Sequence, residues 1–80
     1  MDASGLLGLE AGASATIASL DVSAEEHAEL DAVGISAGRG VVLLRRAPFG
    51  GPLHLRIDTG VEVALDAELA GRIALAAPSS

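Results

Sequence analysis

A strict alternation of apolar and polar residues marks the middle of the chain. The segment LHLRID at 53–58 places an aliphatic side chain at every second position. Successive side chains of a strand lie on opposite faces, so this period of two predicts a strand with one buried and one exposed face. The segment GVVLLRRA at 40–47 predicts its hairpin partner, across a loop at 48–52 that contains two glycines between two prolines.

Earlier in the chain the period changes to that of a helix. Ser23 is followed three residues later by Glu26, the pattern of a capping box in which each side chain satisfies the other residue's backbone N–H. A helix is therefore predicted over 24–33. Leu30 and Val33 form its apolar stripe, and acidic residues occupy the opposite face.

The other periodic segments complete a mainly β pattern. Strands are predicted at 14–20, 61–65 and 72–76, with a single helical turn at 66–69 capped by Asp66. About five short strands with one short helix inserted after the first are typical of a small, partly open SH3-like barrel. Eighty residues, without a linker between the elements, predict one domain over the whole chain.

Charge and cysteine content exclude several kinds of function. The chain has five arginines, no lysine and 11 acidic residues, for a formal net charge of −6. This balance argues against binding nucleic acid or an anionic membrane surface, because few phosphates could be neutralised. The absence of cysteine excludes disulfides, thiolate catalysis and cysteine metal sites.

No signal peptide or membrane-spanning segment is predicted from the sequence. The N-terminal stretch MDASGLLGLEAGASA has an acidic first charge and too short an apolar run for a signal peptide, so we expect it to be retained. The longest apolar run, VVLL at 41–44, is far shorter than the ~20 residues that cross a bilayer. These features predict a cytoplasmic protein without membrane insertion, ending in a frayed tail at 78–80.

Two short motifs resemble catalytic signatures. The string GISAG at 34–38 matches the nucleophile elbow of α/β hydrolases, but it follows a predicted helix and precedes a strand, which is the reverse of the required order. The string DTG at 58–60 matches the aspartic proteases, yet only 13 residues separate Asp58 from the downstream Gly71 that the match would require, which leaves no chain for a flap or a substrate cleft. Both are predicted to be turns, with Gly34 ending the helix, and no enzyme activity is expected.

Candidate metal ligands are few. His27 lies four residues before Asp31 on one face of the predicted helix, so the pair could present two ligands. No third ligand has a recognisable spacing, and His54 lies alone on the polar face of its strand. We therefore predict no metal site and no cofactor.

The outward face of the predicted hairpin suggests a partner surface. With Val41 and Leu43 inward, the alternation places two aliphatic side chains outward among cationic or polar ones. An apolar centre with flanking charge is typical of a protein interface, unless the helix or the N-terminal segment covers the aliphatic pair. This predicted partner surface, which would mediate docking or self-association, comprises Val42, Leu44, Arg46, His54 and Arg56.

Several ordered strings resemble the FeoA family. The block LRRAPFGGPLHLRI at 44–57 carries the most characteristic of them. Upstream, LEAGASATI at 9–17 resembles the family's opening L-x-x-G-x-x-A-x-I, and Leu30 with VGI and Gly38 resembles its helix exit. The resemblance covers roughly residues 6–77.

This resemblance implies a small bacterial protein with an SH3-like fold. The expected role is an accessory one in ferrous iron transport, by contact with FeoB, a membrane transporter that carries a cytosolic GTPase domain. The same fold forms the C-terminal module of DtxR-type iron-dependent repressors, so a metal-linked regulatory binding module is the alternative. The chain departs from the family at Glu29 and Asp66, where arginine is usual.

Overall fold

The computed structural model describes residues 5–76, and the predicted tail lies outside them. Its five strands are β1 (Ser14–Leu20), β2 (Gly40–Arg46), β3 (Leu53–Ile57), β4 (Glu62–Leu65) and β5 (Ile73–Leu75). They form one antiparallel sheet in the order β4-β3-β2-β1-β5. Since β4 and β5 remain two separate edges, the barrel is open, and the predicted mainly β architecture is confirmed.

Two short helices accompany the sheet, α1 (Ala24–Ala32) and α2 (Ala67–Ala70). The capping box of α1 is present: the Glu26 amide donates to Ser23 Oγ at 3.1 Å, and the Ser23 amide donates to Glu26 Oε1 at 3.1 Å. Asp66 caps α2 by accepting a hydrogen bond from the Glu68 amide at 3.0 Å. Within 5–76, neither helix has the length and apolar character needed to span a bilayer.

The C-terminal end of α1 differs from the prediction. Val33 was expected on the apolar stripe, but its side chain is 39% exposed, and Ile35 is buried instead. Gly34 adopts a φ of +95°, and the Ile35 amide donates to the Leu30 carbonyl at 2.9 Å. This is a Schellman motif, which turns the chain back so that the residue after the glycine packs on the last turn of the helix.

The core lies on the inward face of the sheet. Opposing strands contribute matched pairs, such as Leu43 opposite Leu55 and Val41 opposite Ile57, all inward as the alternation predicted. Val61 was expected inward but is 47% exposed, because it lies in the turn before the edge strand β4. The buried apolar residues are Leu6, Ile17, Leu30, Ile35, Val41, Leu43, Leu53, Leu55, Ile57, Leu65, Ala70, Ile73 and Leu75.

Candidate functional site

A row of side chains crosses the outer face of four strands. Ser14 on β1 lies opposite Val42 on β2, which lies opposite Arg56 on β3, which lies opposite Glu62 on β4. Directly opposed residues share a face and lie close together. Arg56 Nη2 is 3.2 Å from Glu62 Oε2, with both side chains at least half exposed. The sheet thus brings together an aliphatic side chain and an exposed ion pair.

A bulge alters the next part of β2. The pairing shifts between Leu43 and Arg45, which leaves Leu44 without a counterpart and places Arg45 opposite His54. Beyond the bulge, Arg46 lies opposite the inward residue Leu53. The alternation had placed Arg46 on the outer face, but an extra residue in one strand reverses the face of every residue after it.

The bulge gives Arg46 another contact. Its Nη2 donates a hydrogen bond to the carbonyl of Leu9, in the segment between the first turn of the chain, the short 3₁₀ helix Leu6–Gly8, and β1. This bond ties the end of β2 to the N-terminal segment. Of the predicted partner surface, the outer face of the sheet therefore holds Val42, His54 and Arg56, with Leu44 at the bulge. The side chains of Val42, Leu44 and His54 are half-buried. The aliphatic pair is therefore neither fully exposed, as a free partner surface would be, nor fully covered by another segment.

A broad groove of about 870 Å³ crosses β1, β2 and β3 beside this row. Val42 and Arg56 line it, together with residues that the sequence did not single out as a site. Most of these are apolar or small. They are Leu9, Ser14, Ala15, Thr16, Gly40, Val41, Ile57, Asp58, Gly60, Leu75 and Ala76. Their separation along the chain explains why sequence patterns did not reveal the groove.

One end of the groove is held by Asp58. Its Oδ2 accepts a hydrogen bond from the Gly40 amide at 3.0 Å, and its Oδ1 lies 3.4 Å from Arg39 Nη1. The Gly40 carbonyl in turn accepts from the Asp58 amide at 2.9 Å. The carboxylate therefore fastens the β3–β4 turn to the start of β2, which is a structural role for the aspartate of the DTG string.

The GISAG string also has a structural role. Gly34 ends α1, and Gly38, with a φ of +91°, donates its amide to the Ile17 carbonyl at 2.8 Å. The string therefore connects α1 to β2, a helix followed by a strand, in the order that the sequence predicted, and the Gly38 bond fastens this connection to β1. A nucleophile elbow has the opposite order, a strand followed by a helix.

The histidines do not approach a common metal site. His27 is exposed on α1, whereas His54 is half-buried on β3. Across residues 5–76, no group of three or more His, Asp or Glu side chains is arranged to hold a metal ion. A stable protein site for a transition metal generally needs three or four such ligands.

We expect the isolated protein to bind Fe(II) no more tightly than millimolar, because two scattered imidazoles cannot provide a chelating ligand set. Anaerobic isothermal titration calorimetry measures this directly. A stoichiometric complex of micromolar or tighter affinity, lost on His27→Ala, would contradict the prediction. His54→Ala is the matched control for the effect of removing an imidazole elsewhere.

Several solved structures share this fold. The comparison with curated protein sequences gives no match. The crystal structure of an iron uptake regulatory protein, FeoA, has a TM-score of 0.82 at 22% identity, covering 92% of this chain and 96% of that chain. The solution structure of iron(II) transport protein A from Clostridium thermocellum has a TM-score of 0.83 at 29% identity, covering 90% and 44% respectively.

A manganese-dependent transcriptional repressor has the same fold in part of its chain. Its TM-score is 0.83 at 25% identity, covering 95% of this chain and 42% of the repressor, so this chain spans less than half of that protein. The sequence model of the FeoA domain matches residues 5–77. FeoA domains are small accessory domains and not a known enzyme family. Because that match covers nearly the whole sequence, the chain belongs to the FeoA family.

Proposed function

We propose that the protein is a non-enzymatic accessory factor of ferrous iron uptake that works in the cytoplasm by direct contact with the membrane transporter FeoB. The observation that carries this proposal is the FeoA domain match over residues 5–77. The role as a partner of FeoB is what the resemblance to the FeoA family implies.

The groove is the part of the surface that best suits such a contact. A protein interface needs an apolar centre that excludes water and polar groups at its rim that set orientation. Val42 provides part of the apolar floor, and Arg56 and Asp58 provide charge at the edges. We propose that FeoB binds across this groove, with Leu44 and His54 next to it on the same sheet.

The role of Asp66 bears on how this chain departs from its relatives. Asp66 accepts the hydrogen bond that caps α2, and an arginine has no acceptor with which to do so. Glu29 is exposed on α1, away from such a local role. We propose that the substitution at 66 serves the fold, whereas Glu29 changes the charge that α1 presents to a partner.

The alternative function is a metal-linked regulatory module. It is favoured by the similarity to the manganese-dependent repressor, at 25–26% identity and a TM-score of 0.83 in two structures. The calorimetric experiment above separates the two functions. Tight metal binding would support regulation, and its absence together with binding to FeoB would support the accessory role.

Blocking the groove should abolish binding to FeoB. In the double variant Val42→Glu with Leu44→Glu, two carboxylates would have to be buried in the interface, so we expect at least a 100-fold weaker complex, about 2.7 kcal/mol. Binding is measured by biolayer interferometry against detergent-solubilised full-length FeoB from the same source, and folding by circular dichroism. If wild-type protein does not bind FeoB, the proposed function is wrong.

Because Val42 and Leu44 are half-buried, their replacement could unfold the protein, and a second variant tests the groove without that risk. Ser14 is exposed and lies opposite Val42, so Ser14→Trp fills the groove without removing a core contact. Ser19→Trp is the matched control, since Ser19 is exposed on the same strand but lies outside the groove. Equal binding by both tryptophan variants would contradict the assignment of the groove.

A further inference from the structure

The loop between β2 and β3 holds the only aromatic residue of the chain in an unusual conformation. Phe49 has a φ of +60°, and its side chain is fully exposed, with a relative accessibility of 103%. The Gly51 amide donates to the Pro48 carbonyl at 3.2 Å and the Ala47 amide to the Pro52 carbonyl at 3.0 Å. These two bonds close the loop and hold Phe49 at its tip.

The fold does not explain a phenylalanine at this position. A left-handed backbone is unfavourable for a residue with a bulky side chain, and glycine or asparagine would adopt it more easily. The exposed ring also gains no burial within the chain that could offset this strain. A strained backbone that presents a large apolar group to solvent is characteristic of a functional position.

Phe49 borders a second depression in the surface. This cavity, of about 310 Å³, is formed where the loop meets the first turn and α2. Leu7, which is 41% exposed, and Arg46 lie on its wall. We call Leu7, Arg46, Pro48 and Phe49 the hairpin patch. It combines a protruding aromatic ring with an adjacent apolar hollow, so a partner can both receive and insert a side chain.

The charge around the hairpin patch differs from that of the rest of the molecule. Arg39, Arg56 and Arg72 each lie within 4.0 Å of a carboxylate. Among the described residues, the two arginines that form no such pair are Arg45 and Arg46, at the base of the hairpin. In a protein with a net charge of −6, Arg46 thus lies in the same depression as the exposed aromatic ring, and Arg45 precedes it on the strand that leads into the loop.

We propose that the hairpin patch is a docking surface for a protein that has an apolar pocket bordered by carboxylates. The ring would fill the pocket, and Arg46 beside it would face the carboxylates and set the orientation. The positive charge of Arg45 and Arg46 together would raise the association rate. An anionic bilayer is less suitable, because one ring gives little insertion and the acidic remainder of the molecule is repelled. This surface is separate from the groove, and the inference rests on the proposed function in taking FeoB as the partner.

The test compares Phe49→Gly with wild-type protein in binding to full-length FeoB in nanodiscs. Glycine accepts the left-handed backbone, so we expect an unchanged or higher Tm together with roughly 30-fold weaker binding or more. Val33→Ala is the matched control, since it also removes an exposed apolar side chain, and it should bind like wild type. Arg45→Glu should slow association and reduce its dependence on salt.

The possible results separate this inference from the proposed function. If wild-type protein fails to bind FeoB, both are overturned. If wild type binds and Phe49→Gly binds equally well, only the hairpin inference is overturned, as it also is if Phe49→Gly lowers the Tm by several degrees. Cosedimentation with phosphatidylglycerol vesicles that is lost in Phe49→Gly would likewise overturn it, because the hairpin would then bind lipid.

Discussion

Replacing Leu43 with alanine is expected to destabilise the protein by about 2–5 kcal/mol. Leu43 is fully buried on the second strand, opposite the fully buried Leu55, and the strands on either side prevent the backbone from moving in to fill a cavity. The cost combines the lost transfer free energy with the cavity left behind. A domain of this size has a total stability of roughly 4–12 kcal/mol, so the variant should lose a large fraction of it.

Urea denaturation followed by circular dichroism measures this effect. The slope of the transition should stay the same, because the surface exposed on unfolding hardly changes, while the midpoint falls. Leu7→Ala is the control, since Leu7 is 41% exposed and should cost much less. A loss below about 1 kcal/mol for Leu43→Ala would mean that the hollow left behind is filled by rearrangement of the sheet.

Replacing Gly51 with valine should destabilise the hairpin by about 1–3 kcal/mol. The pair of glycines between Pro48 and Pro52 predicts that a β-carbon is unfavourable at both Gly50 and Gly51. The structure gives two different reasons: Gly50 has a φ of +75°, whereas a β-carbon on Gly51 would lie 2.6 Å from Cβ of Ala47 and 3.2 Å from the Pro48 carbonyl oxygen. The first contact is too short for two carbon atoms, so the loop must open.

A double variant tests this steric explanation. Ala47→Gly removes the atom that a β-carbon on Gly51 would meet, so Gly51→Ala should cost less in the Ala47→Gly background than in the wild type. Gly8→Val is the matched control, because a β-carbon there meets no atom within 4 Å. An equal Tm for wild type and Gly51→Val in differential scanning calorimetry would show that the loop accommodates the side chain.

Features that depend on neighbours in the chain were predictable from the residues alone. The capping box of Ser23 and Glu26 needs only a spacing of three, and both of its hydrogen bonds form. The alternation in LHLRI over Leu53–Ile57 assigns each side chain to a face because a strand has a period of two, and all three aliphatic residues there are buried. The FeoA resemblance rests on local strings of the same kind, and the domain match over 5–77 confirms it.

Other features depend on contacts between segments that are distant in the sequence. The bulge at Leu44 forms because β2 pairs with β3, and this pairing moves Arg46 to the other face and towards the Leu9 carbonyl. The groove combines residues from Leu9 to Ala76, so no spacing pattern could reveal it. The exposure of Phe49 also depends on the turn that the whole hairpin adopts. In each case the free energy of packing between distant segments outweighs the local conformational preference of the residues. A pattern of neighbouring residues carries no information about that packing.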